Sequence, residues 1–324
     1  MLKTLQILAA SFRLAWQELR NNKLRTFLSL FGVTIGIFCI IGVLTTVDSL
    51  ERNIKEGINS LGSNTIYIDK WDYSGGGDGD YPWWKYVKRP SPKYDEMRFI
   101  RAKTDAIENM AFTLQVQGQN IIHEKDMIQN VALYGVTEEF NAIQPFEIQY
   151  GRYLTLSDME RGSANGVMGY ENAAKLFGSA ERALGKTITI KNKKINVVGV
   201  IKKQGKSLLV SGWNFDDCVI LSYRFFRTIF EERYSNPTIM VQGKPNVTTE
   251  AFKDELRGTL RAVHRLSPGT EDDFSLNAVS DFSEAVTSLF SNVKLGGWLI
   301  GLLSLVVGAF GIANIMFVSV SERK

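Results

Sequence analysis

The chain has 324 residues, 38 Lys+Arg against 34 Asp+Glu and 44% hydrophobic residues, a balance that excludes disordered, collagen-like and disulfide-scaffold classes. With 2 Cys there is at most one disulfide, and 2 His leave too few ligands for a zinc-type cluster. The net charge of +4 is too small to argue for nucleic acid, so where it sits matters more than its size.

From the amino terminus, Leu2, Leu5, Leu8, Phe12, Trp16 and Leu19 recur at three- and four-residue steps, with Arg13, Gln17 and Arg20 elsewhere. This predicts an amphipathic helix over 1–26 lying on a membrane face. Phe27 to Val47 then gives 21 residues without a formal charge, and Leu295 to Val320 gives 26. A hydrocarbon core needs about 20 helical residues, so 27–47 and 295–320 are predicted transmembrane helices. The longer run, ~39 Å as a helix, exceeds a slab of roughly 30 Å and must tilt or project. A cleaved signal peptide does not suit the first run, because an h-region spans about 7–15 residues before a small-residue cleavage site. A buried core helix does not suit the second, given its length and Trp298 near one end.

Residues 1–26 carry a net +4 and 321–324 a net +1. The positive-inside rule therefore places both termini in the cytoplasm and 48–294 beyond the membrane. Within the second run Gly297, Gly301, Ser304, Gly308 and Gly311 step by 4, 3, 4 and 3, the spacing of one helix face; Ser29, Gly32, Gly36 and Cys39 do the same in the first. Small residues let helix backbones approach in lipid, so both stripes read as packing faces, against the plain alternative that glycine is common in membrane helices. Asn314 needs a polar partner there and is expected to face protein.

Outside the spans, Leu50, Ile54, Ile58 and Leu61 continue the helical period up to Gly62, and Phe282, Val286, Leu289, Phe290 and Val293 repeat it before the second span. Both spans thus extend as stalk helices. A strand at Thr65–Ile68 is followed by a loop from Asp69 to Pro92 and a helix around Tyr94–Lys103. Gly75 to Asp80 resembles a calcium-binding nonapeptide only loosely, with the wrong Asp spacing, and no metal site is expected. The same loop gathers Trp71, Tyr73, Tyr81, Trp83, Trp84 and Tyr86. Two readings stay open: a contact surface for a partner or substrate, with Trp71, Tyr73, Trp83 and Trp84 as its residues, or rings that only pin the loop.

Short strands are predicted at Phe112–Val116, Val131–Val136, Thr187–Ile190, Ile195–Val200 and Cys218–Leu221, interrupted by a helix at Glu171–Phe177. A strand at Thr238–Val241, a helix from Thr249 with Phe252, Leu256, Leu260 and Val263 on one face, and a strand at Phe274–Asn277 close the segment. The class is α+β: a β-rich subdomain over 114–223 inserted into an α/β unit built from 48–113 and 224–294. There is no Walker loop, no Gly-x-Ser-x-Gly elbow and no His-Glu-x-x-His. His264, at a helix end, and His123, in a polar turn, read as structural. No catalytic residue, cofactor or metal is expected, and the chain is not read as an enzyme.

Several motifs now coincide in order: "NKLRTFLSLFGVTIGI" entering the first span, "GINSLGSNTIYI" after it, "YGRYLTLSD", "KLFG" and "LGKTITI…INVVGVI" in the middle, and "GLLSLVVGAFGIANIMFVSVSERK" at the end. Together they resemble the MacB-like (FtsX-like) permeases of ABC transporters over nearly the whole chain. The resemblance implies a bacterial inner-membrane protein whose large periplasmic domain has a porter-like part and an inserted sabre-like part. It implies a second permease copy in a homo- or heterodimer and a cytoplasmic ABC ATPase subunit that hydrolyses ATP, this chain having no fused ATPase. A periplasmic adaptor and an outer-membrane duct are further implied partners, and Ser321, Glu322, Arg323 and Lys324 would begin the segment that contacts the ATPase. The family pattern continues past "SERK" into two further spans, so the chain looks like a truncated permease. Two other roles share this topology: an FtsX-like regulator of a periplasmic cell-wall hydrolase, and a two-span extracytoplasmic sensor.

Overall fold

The computed structural model describes residue 13 and residues 23–59, 64–73, 81–205 and 213–321. Most of the helix expected over 1–26, the Gly75–Asp80 run and Glu322–Lys324 lie outside these residues. The chain divides into two compact units, Met1–Asn53 with Val286–Lys324, and Ile54–Ala285.

In chain order, helix α1 (Lys23–Asn59) leads to β1 (Thr65–Asp69), α2 (Glu96–Lys103), β2 (Ile107–His123), β3 (Asp126–Val136), β4 (Ile148–Gly151), α3 (Leu156–Arg161) and β5 (Asn165–Met168). There follow α4 (Tyr170–Phe177), β6 (Thr187–Ile190), β7 (Lys193–Ile201), β8 (Cys218–Ser222), β9 (Thr238–Gly243), α5 (Thr249–Val263), β10 (Ser275–Ala278) and α6 (Val279–Ser321).

Among the described residues the ten strands join one sheet in the order β10-β1-β9-β2-β3-β8-β5-β7-β4, with β6 pairing β2 and β7. The first four are antiparallel neighbours; Ile66 on β1 faces Ala278 on one side and Val241 on the other. Beyond β2 the sheet turns back on itself, because β6 lies against β7 and also meets the far end of β2 at Ile122↔Thr189. Strands β2, β3, β8, β5, β7 and β6 therefore close into a ring, with β4 left as an edge strand beside β7. A continuous apolar core links Ile121, Leu133, Ile188 and Val197 of the ring strands with Ile68 and Val241 of the flat part and Phe252, Leu256 and Leu260 of α5.

β2 belongs to both parts, so the expected limit between 113 and 114 falls inside a strand. Its first apolar stretch is the one the sequence predicts. The polar continuation Gln117–Asn120 is strand as well, carried through a register shift between Val116 and Gln119. β5 escapes prediction because Asn165-Gly166 reads as a turn. A side chain there would crowd the sheet, since a Cβ on Gly166 would lie 2.9 Å from Leu221 Cδ2 and 3.0 Å from Ile195 Cγ2.

Helix α3 starts with a reciprocal cap. Thr155 Oγ1 accepts from the Asp158 N–H at 3.2 Å, and Asp158 Oδ2 accepts from the Thr155 N–H at 3.0 Å. Arg152 and Asn165 each donate to the same carboxylate at 2.7 Å. Burial opposes the charge, but these hydrogen bonds outweigh it and hold the Asp158 carboxyl well below the usual carboxylate range. Asp158→Ala is expected to destabilise the fold by about 2–3 kcal/mol, read as a lower denaturation midpoint with unchanged slope.

At the carboxy-terminal cap of α5, His264 Nδ1 lies 2.6 Å from Asp273 Oδ1, and Nε2 lies 3.7 Å from Glu96 Oε1. The second distance makes an ion pair rather than a hydrogen bond. Glu96 foremost, with Asp273, raises the imidazole from 6.5 to about 8 against the opposing effect of burial. Its contribution to stability is thus full below pH 6.5 and lost as pH rises through about 8. A loss on the order of 1 kcal/mol across that window, absent in His264→Gln, is the expected outcome of denaturation at stepped pH.

Candidate functional site

Two helices, over Thr34–Lys55 and Val279–Phe310, are long and apolar enough to cross a membrane. Within the first unit α1 and α6 pack along the small-residue faces. A Cβ on Gly36 would lie 3.9 Å from Ser304 Cβ, one on Gly301 3.1 Å from Ile40 Cδ1, and one on Gly297 3.4 Å from Leu44 Cδ2. Partner numbers fall along α6 as they rise along α1, so the pair is antiparallel. The same register ends in charge: Lys294 Nζ lies 2.7 Å from Asp48 Oδ1 and 2.6 Å from Glu51 Oε2. From Gly36 to Asp48 this makes a seam of about 18 Å, three turns of small-against-branched packing closed by an ion triad.

Hydroxyls on the two helices bond within their own helix, Ser304 to the Ile300 carbonyl at 2.9 Å and Thr46 to the Gly42 carbonyl at 2.8 Å. Phe38 and Phe310 are 75% and 72% exposed, so the outer faces suit hydrocarbon rather than water. Beside the crossing, Ile37, Ile41, Trp298, Leu302 and Leu305 border an apolar groove of about 250 Å³.

Of the predicted packing residues, Gly36, Gly297, Gly301 and Ser304 meet across the seam, and Gly308 is half-buried on α6. Gly32, Gly311 and Asn314 fall on α1 and α6 where surroundings lie outside the described residues, and Ser321 ends α6. The ion triad is a feature the sequence reading missed. Its signal is Asp48 and Glu51 at i, i+3 just past the first apolar run, with Lys294 as the last charge before the second.

The aromatic loop separates into two groups. Trp71 and Tyr73 are tied to β10: Asn277 donates to the Trp71 carbonyl at 2.9 Å and accepts from the Tyr73 N–H at 2.8 Å, while the Tyr73 hydroxyl donates to Asp69 at 2.6 Å. Trp83 and Trp84 sit edge to face on a single helical turn, 60% and 53% exposed. Behind them Arg89 stacks on Tyr86 and donates to Ser275 Oγ at 2.8 Å. Among the described residues no three His, Cys, Asp or Glu side chains gather as a metal group. His123 contacts the Thr187 carbonyl at 2.7 Å and packs on Phe177, an ordinary structural setting.

Residues 26–259 match the family model described as the MacB-like periplasmic core domain. The chain is 30% identical over 317 residues to the macrolide export ATP-binding/permease protein MacB of Neisseria gonorrhoeae, covering 97% of this chain and 46% of that protein. It is 25% identical over 327 residues to the probable syringafactin export ATP-binding/permease protein of Pseudomonas syringae pv. tomato, covering 100% of this chain and 46% of that protein. The chain thus spans about half the length of these relatives. Its fold resembles the periplasmic region of MacB from Actinobacillus actinomycetemcomitans, with a TM-score of 0.56 at 19% identity over 72% of this chain and 97% of that one. The extracellular domain of the noncanonic ABC-type transporter YknZ from Gram-positive bacteria aligns with a TM-score of 0.50 at 17% identity, over 65% of this chain and 98% of that one. A family match over most of the length, flanked by two helices of membrane length, makes this chain a member of the MacB-like periplasmic core domain family of ABC-transporter permeases.

Proposed function

We propose that the chain is the permease part of a MacB-type exporter in the bacterial inner membrane, with both termini cytoplasmic and the sheet domain periplasmic. ATP is hydrolysed by a separate ABC ATPase, which engages the segment beginning at Ser321; two permease copies assemble, with a periplasmic adaptor and an outer-membrane duct completing the export path. The closed ring of strands corresponds to the sabre-like part and the flat antiparallel layer to the porter-like part. The chain performs no catalysis; it transmits force.

One observation carries the reading. β10 ends at Ala278 and α6 begins at Val279, while α1 leads into β1, and β1 and β10 are paired neighbours. α6 therefore continues directly from β10, the strand hydrogen-bonded to β1, and a displacement of α6 loads that pair. The positive charge at both ends of the chain supports the orientation.

The test locks the seam. The Cβ positions of 36 and 304 are 3.9 Å apart, within the range a disulfide needs, so Gly36→Cys with Ser304→Cys should cross-link on oxidation. In the full transporter with its ATPase, oxidation is expected to abolish export and reductant to restore it. Export and ATPase activity indifferent to the lock would overturn the proposal. Loss of wall-hydrolase activation with no exported cargo would replace it with the regulatory role.

A further inference from the structure

Three cations stand on one stripe of α5. Lys253, Arg257 and Arg261 step by four residues beside Phe252, Leu256 and Leu260, whose complete burial fixes the helix to the core. All three cations reach across to the chain between Ser267 and Asp281, the stretch that enters β10, forms it and leaves it as α6.

The grip is uneven along that stretch. At the entry, Arg261 donates to the Ser267 and Thr270 carbonyls, each at 2.8 Å, and to Asp272 Oδ1 at 2.5 Å, while Arg257 Nε lies 3.2 Å from Asp272 Oδ2. From another element Arg89 donates to Ser275 Oγ at 2.8 Å, and Lys85 pairs with Glu271. Two guanidinium groups on one carboxylate fix direction as well as distance. At the exit the stripe makes a single bond, from Lys253 Nζ to Asp281 Oδ2 at 2.7 Å. An ammonium is a point charge on a flexible stem, so this contact holds distance and leaves direction free.

The place of Asp281 gives that contact a mechanical role. It sits in the first turn of α6, and about one turn further on, between Ala285 and Val286, the helix passes out of the sheet unit. A cleft of about 330 Å³ lies between the exit contact and the entry contacts, walled by Lys253, Arg257, Asp272, Leu276 and Asp281. Water can therefore reach both partners as they part. Their side chains are already 19% and 29% exposed, so separation strands no fully buried charge. We infer that Lys253 and Asp281 form a releasable clasp: the root of α6 leaves α5 while the entry to β10 stays anchored, and the strand–helix junction swings about its Asp272 end. The clasp belongs to the sheet domain alone and operates whether or not the chain exports anything.

The test follows amide hydrogen exchange in the full chain in a non-ionic detergent. Lys253→Met is expected to speed exchange over 276–285 by about fivefold and to leave 267–275 unchanged, whereas Arg257→Gln should act on 267–275. Asp281→Asn should match Lys253→Met and add nothing to it in the double variant. A carboxylate serving only the positive end of α6 would instead add its effect in full. Raising sodium chloride from about 50 to about 500 mM should speed exchange over 276–285 in the unmodified chain and have no effect in Lys253→Met. That comparison needs no variant at the carboxylate. Unchanged exchange in Lys253→Met, equal acceleration of both segments, additive effects of the two substitutions, or a salt response that survives Lys253→Met overturns the inference.

Discussion

Phe112→Ala is expected to lower the stability of the sheet domain by about 3–5 kcal/mol, a large share of the roughly 5–15 kcal/mol typical of a folded domain. Phe112 is completely buried on β2. Its ring meets Tyr94 edge-on at 5.8 Å and Tyr223 edge-on at 5.3 Å, and those two tyrosines stack on each other at 4.5 Å. Truncation removes the ring both tyrosines lean on, and neither can follow it inward. Tyr223 is held by its hydroxyl to Glu232 at 2.9 Å, while the backbone of Phe112 is fixed to Thr137 by its N–H at 2.9 Å and its carbonyl at 3.2 Å. The site therefore keeps most of its cavity. A melting temperature lower by about 6–20 °C is the corresponding reading for a domain of this size, with Phe112→Leu much milder. A loss below about 1 kcal/mol would show that the tyrosines do collapse into the space.

Much of this architecture is legible in the sequence where burial is two-sided or strictly periodic. The apolar runs of α1 and α6, the stripe Phe252, Leu256, Leu260 on α5, and the β-branched runs of β6, β7 and β8 all declare themselves locally. What stays hidden depends on partners remote in sequence. β5 is a strand because Leu221 and Ile195 press on Gly166 from both neighbours, and Asn165-Gly166 taken alone carries the opposite signal. The polar half of β2 is strand because β3 and β6 pair with it, although Gln117–Asn120 has no apolar face of its own. The ring closes through Ile122↔Thr189, a contact that no periodicity announces. The small-residue stripes are visible as patterns, but their register is not. It takes the packed helices to align Gly36 with Ser304 and to bring Lys294 to Asp48 and Glu51. Trp71, Tyr73, Trp83 and Trp84 look alike in composition and differ only in what lies behind them, Asn277 and Asp69 for the first two and open surface for the others.

Gly301→Leu is expected to uncouple the helix pair. A bare Cβ at 301 already stands 3.1 Å from Ile40 Cδ1 and 3.4 Å from its Cγ1 and Cγ2, so a methyl group is at the limit and an isobutyl group needs α1 to move away. Overpacking of this kind typically costs about 1–3 kcal/mol, and in lipid no hydrophobic force restores the contact, because tails solvate the separated faces equally well. Formation of the Gly36→Cys/Ser304→Cys disulfide should slow by about tenfold or more in this background, following the lost close-packed population. Gly296→Leu, on the same helix with nothing within 4 Å of its Cβ position, should leave that rate unchanged. Equal effects at 296 and 301 would mean that added apolar volume, rather than the seam, is responsible. A slowed cross-link together with retained ATP-driven export would separate seam packing from force transmission, leaving the Lys294 triad and the β1–β10 pair as the route by which movement reaches the sheet.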